Sequence, residues 1–192
     1  SIAHPVSLYA ATKKSNELMA HAYSKLYDIP STGLRFFTVY GPWGRPDMSP
    51  ALFTDAILHG RPIMVFNNGN MLRDFTYIDD IVEGVIRCLD KVAVSDPEWD
   101  ENHPNPSTSV APYRIYNIGN SCPVKLMDFI RAIEKACGRV AIKEYLPMQP
   151  GDVYQTNADT TLFQQEVGYK PHKDINVGVQ VTVDWYRSFY KL

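Results

Sequence analysis

Two adjoining runs, Leu8 to Tyr27 and Ser31 to Val39, constrain the fold most. In the first, Leu18, Met19, Ala22, Tyr23, Leu26 and Tyr27 recur at helical spacing, which predicts an amphipathic helix. Asp28 and Pro30 stop it. The second alternates and is rich in Leu, Phe, Thr and Val, the composition of a buried strand. A loop follows with Gly41-Pro42, Gly44, Pro46 and Pro50. In an α/β sheet, ligands gather beyond the carboxyl ends of strands, where this loop lies.

The alternation continues along the chain. A short helix is expected over Ala51 to His59, stopped by Gly60 and Pro62, and a strand over Ile63 to Phe66. Asn67-Asn68-Gly69-Asn70 is expected to turn the chain into a second strand, Arg73 to Tyr77. Asp79 then caps a helix to Lys91 that buries Ile81, Val82, Val85, Ile86 and Leu89. Ser95 to Pro112, with its prolines, is an exposed loop. A strand at Arg114 to Ile118, a helix at Val124 to Cys137 closed by Gly138, and a strand at Ala141 to Leu146 come next. Thr160 to Val167 and Asn176 to Tyr190 are the last helices.

Composition excludes some classes of function. The net charge of -2 gives no basic footprint, so no nucleic-acid partner is expected. Hydrophobic content of 45% with 21% charged residues describes a soluble globular chain. Cys88, Cys122 and Cys137 are odd in number and form no C-x-x-C, so neither a disulfide framework nor a zinc site is expected, and a cytoplasmic setting fits. No stretch approaches the ~20 apolar residues of a membrane span. No signal peptide is expected either.

The clearest chemistry lies in Tyr9 and Lys13, spaced i, i+4 and therefore on one helix face. A free phenol is a poor base at neutral pH, and a neighbouring cation favours the phenolate. The two residues fit a proton-transfer pair; they also fit a half-buried Tyr beside a solvated Lys. Arg45 fits either a solvated loop charge or a two-point partner for a carboxylate. Asp74, Asp79 and Asp80 could suggest a metal cluster, but the capping role of Asp79 explains the pattern, and no metal is expected.

Context narrows these choices. Pro5-Val6-Ser7-Leu8-Tyr9-Ala10-Ala11-Thr12-Lys13, followed by Glu17, resembles the active-site helix of the extended short-chain dehydrogenase/reductases. Arg35-Phe36-Phe37-Thr38-Val39-Tyr40-Gly41-Pro42, Gly44-Arg45-Pro46-Asp47-Met48 and Arg73-Asp74-Phe75-Thr76-Tyr77-Ile78-Asp79-Asp80 resemble the nucleotide-sugar epimerases, most narrowly the UDP-glucuronate 4-epimerases.

That resemblance implies an α/β fold: the C-terminal half of a Rossmann-type doubly wound sheet plus a small α/β substrate-binding domain. Residues 1–45 would complete the dinucleotide-binding domain, and 46–192 would mainly form the UDP-sugar domain. Strands near 73–77 and 114–118 and the helix at 79–91 would interleave with the first part. The resemblance also implies NAD as cofactor, with Tyr9 as base, Lys13 beside it, and Phe36 near the nicotinamide. Thr38, where other epimerases carry Asn, would leave room for a C6 acid read by Arg45. Leu52 and Phe66 would pack near the uridine, Arg73 would contact the diphosphate, and Asp152 would take a ribose hydroxyl. Gln149 departs from the usual Arg of that last loop.

The implied reaction is inversion at C4 of UDP-glucuronate through a 4-keto sugar, by a cytoplasmic homodimer built through the Tyr9 helix. A decarboxylase or dehydratase of the same fold, or a non-catalytic UDP-sugar-binding module, are the rivals. No G-x-G-x-x-G occurs in the chain. The family's Gly-rich half, with its Ser/Thr partner for the C4 oxygen, is therefore expected to lie outside these 192 residues, and the chain alone is expected to be inactive.

Overall fold

The computed structural model describes residues 4, 5 and 7–192. Helix α1 (Leu8–Tyr27) starts at Ser7, whose side chain accepts the Ala10 N–H at 3.1 Å. It ends at Asp28 in the left-handed region, φ 53°, a conformation that Asp tolerates better than most residues. The chain then enters β1 (Ser31–Phe36), which pairs in parallel with β6 (Tyr113–Ile118). Next come β2 (Thr38–Tyr40) and β5 (Phe75–Tyr77), also parallel to each other. The single strand expected over Ser31 to Val39 is thus two, divided at Phe37, because the chain leaves one partner strand and takes another.

Helix α2 (Ser49–Leu58) carries Pro50 in its first turn, where a missing N–H costs nothing. Strand β3 (Pro62–Val65) pairs in parallel with β8 (Ile142–Tyr145), while β4 (Leu72–Arg73) pairs antiparallel with β7 (Val124–Lys125). Asn67 to Asn70 turns the chain as expected, but the strands before and after it have different partners, and the strand expected over Arg73 to Tyr77 is divided at Asp74. A 3-10 turn, Phe66–Gly69, joins β3 to β4, with Asn67 and Asn68 both at φ 50°. Phe66 begins this turn rather than ending a strand.

Helix α3 (Ile78–Leu89) begins after Tyr77, so Asp79 lies inside the first turn and does not cap. Its buried line is Ile81, Gly84 and Cys88, whereas Val82, Ile86 and Leu89 are exposed. Gly84 sets this line: a Cβ there would meet Phe163 at 3.1 Å, so the helix rests on its glycine. Helices α4 (Leu126–Cys137), α5 (Thr161–Val167) and α6 (Ile175–Tyr190) complete the chain, with Gly138 at φ 64° closing α4.

Two main bodies of apolar packing result among the described residues, beside a small group of Ala111, Tyr113 and Ile115. The larger gathers α2, α4, α6, β3 and β5 around Phe75 and Phe129, whose rings stack at 3.9 Å. The smaller gathers Ile81, Tyr116, Ile118 and Phe163. Helix α1 belongs to neither. Its sole buried residue is Ser24, whose hydroxyl donates to the Pro112 carbonyl, and the apolar stripe of Leu18, Met19, Tyr23 and Leu26 faces outward.

Candidate active site

Between α1 and β1 runs a groove of about 840 Å³ lined by Tyr9, Lys13, Arg35, Phe36 and Tyr113 among others. Lys13 Nζ stands 5.5 Å from the centroid of the Tyr9 ring, the cation–π arrangement that i, i+4 spacing permits. Phe36, half exposed at the end of β1, completes the set, so the three residues expected at a nicotinamide share one groove.

The back of the groove is charged. Arg35 grips Glu17 at two points, Nε to Oε1 at 2.6 Å and Nη2 to Oε2 at 2.8 Å, and Lys14 adds a third contact at 3.0 Å. The hydrogen bonds from Arg35 hold the Glu17 carboxyl below the usual range, and Glu17 in turn raises Arg35. The Tyr113 hydroxyl donates to the Glu17 carbonyl oxygen, and burial pushes that phenol up to about 12.

Arg45 and Leu52 line a second, smaller cavity of about 170 Å³, past the end of β2. Arg45 is already engaged by Asp47, with Nε to Oδ1 at 3.1 Å. That hydrogen bond, then the Asp47 charge, raise Arg45. Thr38 opens β2, its N–H donating to the Asp74 carbonyl oxygen at 3.2 Å. Arg73 donates to Asp152 at 2.8 Å and to the Tyr154 carbonyl at 3.1 Å. The structure thus brings together Tyr9, Lys13 and Phe36, then Arg45 and Leu52, then Arg73 and Asp152. Phe66 is partly buried against the larger core.

Two carboxylates to which the sequence reading gave no structural role organise this end of the fold. Asp74 is fully buried and accepts from the amides of Asn120, Ser121 and Ala158 at 3.0–3.1 Å. Asp80 accepts from the Tyr169 hydroxyl and the amides of His172 and Lys173. For Asp74 the available signal was an acid directly before the aromatic strand Phe75 to Tyr77, since a carboxylate buried there must be hydrogen-bonded. Among the described residues, no group of three His, Cys, Asp or Glu is placed to hold a metal, and no helix is long and apolar enough to cross a membrane.

The model of the NAD dependent epimerase/dehydratase family matches residues 1–119. The chain belongs to that family. Among the relatives of this epimerase-family chain is an uncharacterized 37.6 kDa protein of Escherichia coli O111:H-, 58% identical over all of this chain and 58% of its own length. UDP-glucuronate 4-epimerase 5 of Arabidopsis thaliana is 46% identical, across 97% of this chain and 42% of its own. The crystal structure of UDP-glucuronic acid 4-epimerase from Bacillus cereus, in complex with UDP-glucuronic acid and NAD, superposes with a TM-score of 0.81 at 33% identity, over 97% of this chain and 55% of that one. The family member described here therefore spans about half the length of the relatives it matches.

Proposed function

We propose that these residues carry the acid–base pair and the UDP-sugar subsite of an enzyme that interconverts UDP-glucuronate and UDP-galacturonate by inversion at C4. The observation that carries the reading is Lys13 over the Tyr9 ring, beside Phe36, in one groove. Tyr9 takes the proton of the C4 hydroxyl, and Lys13, beside it, holds the nicotinamide ribose. Thr38 and Arg45 hold the C6 carboxylate; Leu52 and Phe66 pack near uridine, Arg73 takes the diphosphate, and Asp152 a ribose hydroxyl. The 4-keto sugar turns over in the site before C4 is reduced on its other face, and Tyr9 returns the proton. NAD, when bound, supplies the redox chemistry at C4.

The residues present fit one end of that cofactor. Tyr9, Lys13 and Phe36 suit the nicotinamide ribose, while these 192 residues contain no Gly-rich turn for the pyrophosphate. The chain alone is accordingly proposed to bind UDP weakly, hold no NAD and turn nothing over. The division into a dinucleotide part, residues 1–45, and an interleaved UDP-sugar part, 46–192, draws its support from the smaller apolar body, where Leu34 and Val39 pack with the interleaved Ile81, Tyr116 and Ile118. A cytoplasmic homodimer through α1 completes the proposal, supported by the open stripe of Leu18, Met19, Tyr23 and Leu26.

The test uses a polypeptide of the relatives' length that contains these residues. Incubated with NAD and UDP-glucuronate, it should yield UDP-galacturonate by NMR. Tyr9→Phe should lower kcat by on the order of 10²-fold or more with little change in UDP-sugar affinity. A pentose product would favour the decarboxylase instead.

A further inference from the structure

Three cations stand close to Glu17, and it pairs with two of them. Lys14 and Arg35 are bound at 3.0 and 2.6 Å. Lys13 lies four residues before Glu17, a spacing at which Lys and Glu readily pair on a helix. Its contact is nevertheless the Tyr9 ring. Tyr9, Lys13 and Glu17 form a ridge at successive i+4 steps, and the ammonium in the middle can lean either way.

We infer that Arg35 is a positioning residue: by gripping Glu17 at two points it keeps Lys13 on Tyr9. The inference rests on the reading of Tyr9 and Lys13 as a working pair. A guanidinium fork fixes the plane of a carboxylate as a point charge cannot. Held toward β1, Glu17 gives Oε1 and Oε2 to Arg35 and shares Oε2 with Lys14 one turn back on α1. The other charged and titratable groups around the pair are His4 before α1, Tyr113 on β6, and Arg45 with Asp47 in the loop before α2. Asp47 is engaged by Arg45, so Glu17 is the carboxylate one helical turn from Lys13. An exposed cation–π contact and an i, i+4 ion pair are both weak, so a Glu17 freed from Arg35 competes with the Tyr9 ring for Lys13.

The test needs no turnover. In the chain labelled with ¹³C at lysine Cε, the Lys13 signal, identified through Lys13→Arg, should be displaced by the Tyr9 ring relative to Tyr9→Ala. Arg35→Met should reduce that displacement by a measurable fraction, on the order of a quarter. Arg35→Met with Glu17→Gln should restore it, and Glu17→Gln alone should leave it intact. An arginine that merely pins α1 to β1 would not be rescued by removing its partner. Should Arg35→Met fail to fold, Arg35→Lys carries the same test, because a lysine lacks the two-point grip. A displacement unmoved by the Arg35 variants, or lost without rescue, overturns the role of Arg35. A wild type with no displacement overturns the Tyr9–Lys13 contact itself and, with it, the inference.

Discussion

Arg73 and Asp152, 79 positions apart in sequence, are joined by a hydrogen bond of 2.8 Å. The guanidinium side chain is only 14% accessible and also donates to the carbonyls of Leu72 and Tyr154. It is therefore oriented before any ligand arrives. Arg73→Lys should weaken UDP about tenfold by calorimetry, because a flexible point charge replaces a fixed fork. Uridine, which lacks the diphosphate, should bind both proteins alike; equal losses for the two ligands would remove Arg73 from the diphosphate site.

Arg45 differs in being exposed and paired with its near neighbour Asp47. A sugar carboxylate must compete with Asp47 for it. Arg45→Ala should weaken UDP-glucuronate far more than UDP-glucose in a titration, and Asp47→Asn should strengthen UDP-glucuronate selectively. If both sugars respond equally, Arg45 does not read the carboxylate.

Asp74→Ala strips the amides of Ser121 and Ala158 of their acceptor and leaves that of Asn120 with Thr76 alone. The cost should be about 3 kcal/mol or more, a fall in melting temperature on the order of 10 °C for a chain of this size. Asp79→Ala should cost less than about 1 kcal/mol, since Asp79 only meets the helix dipole from an exposed position. Thermal unfolding of the two variants side by side checks the contrast.

Glu17 makes stability depend on pH. Its folded value lies below the ordinary 4.5, chiefly through the Arg35 hydrogen bonds. The stabilisation is thus fully present above about 4.5 and is lost as pH falls through the lower folded value. Denaturant midpoints of wild type and Glu17→Gln should converge across that acid window and stay apart, and parallel, at neutral pH. A gap unchanged down to full protonation would contradict this.

The sequence showed the elements better than their partnerships. Helix α1 was legible end to end, because its periodicity and its stop at Asp28 are local. The groove holding Tyr9, Lys13 and Phe36 followed, since helix and strand adjoin. What stayed hidden depends on distant residues. Phe37 breaks a strand because β5 lies where β6 ends, and no local pattern records that exchange. Asp79 looked like a cap and Asp74 was weighed only as part of a metal cluster, yet Asp74 holds amides 46 to 84 positions away. The apolar residues of α3 were visible, but Gly84 decided which of them face inward.

Helix α1 carries the proposed reaction pair yet buries one residue, whereas α4, of twelve residues, buries seven. Opening α1 exposes little new apolar surface, so its amide protons should exchange with solvent well before those of α4. The attachment is polar: Ser24 to Pro112, Tyr113 to the Glu17 carbonyl, and the Arg35 grip. A surface that covers Leu18, Tyr23 and Leu26 would bind the closed helix and not the opened one. By mass action it would slow that exchange in proportion to its concentration. The time Tyr9 spends in place would then be set by whatever lies against the far side of its own helix.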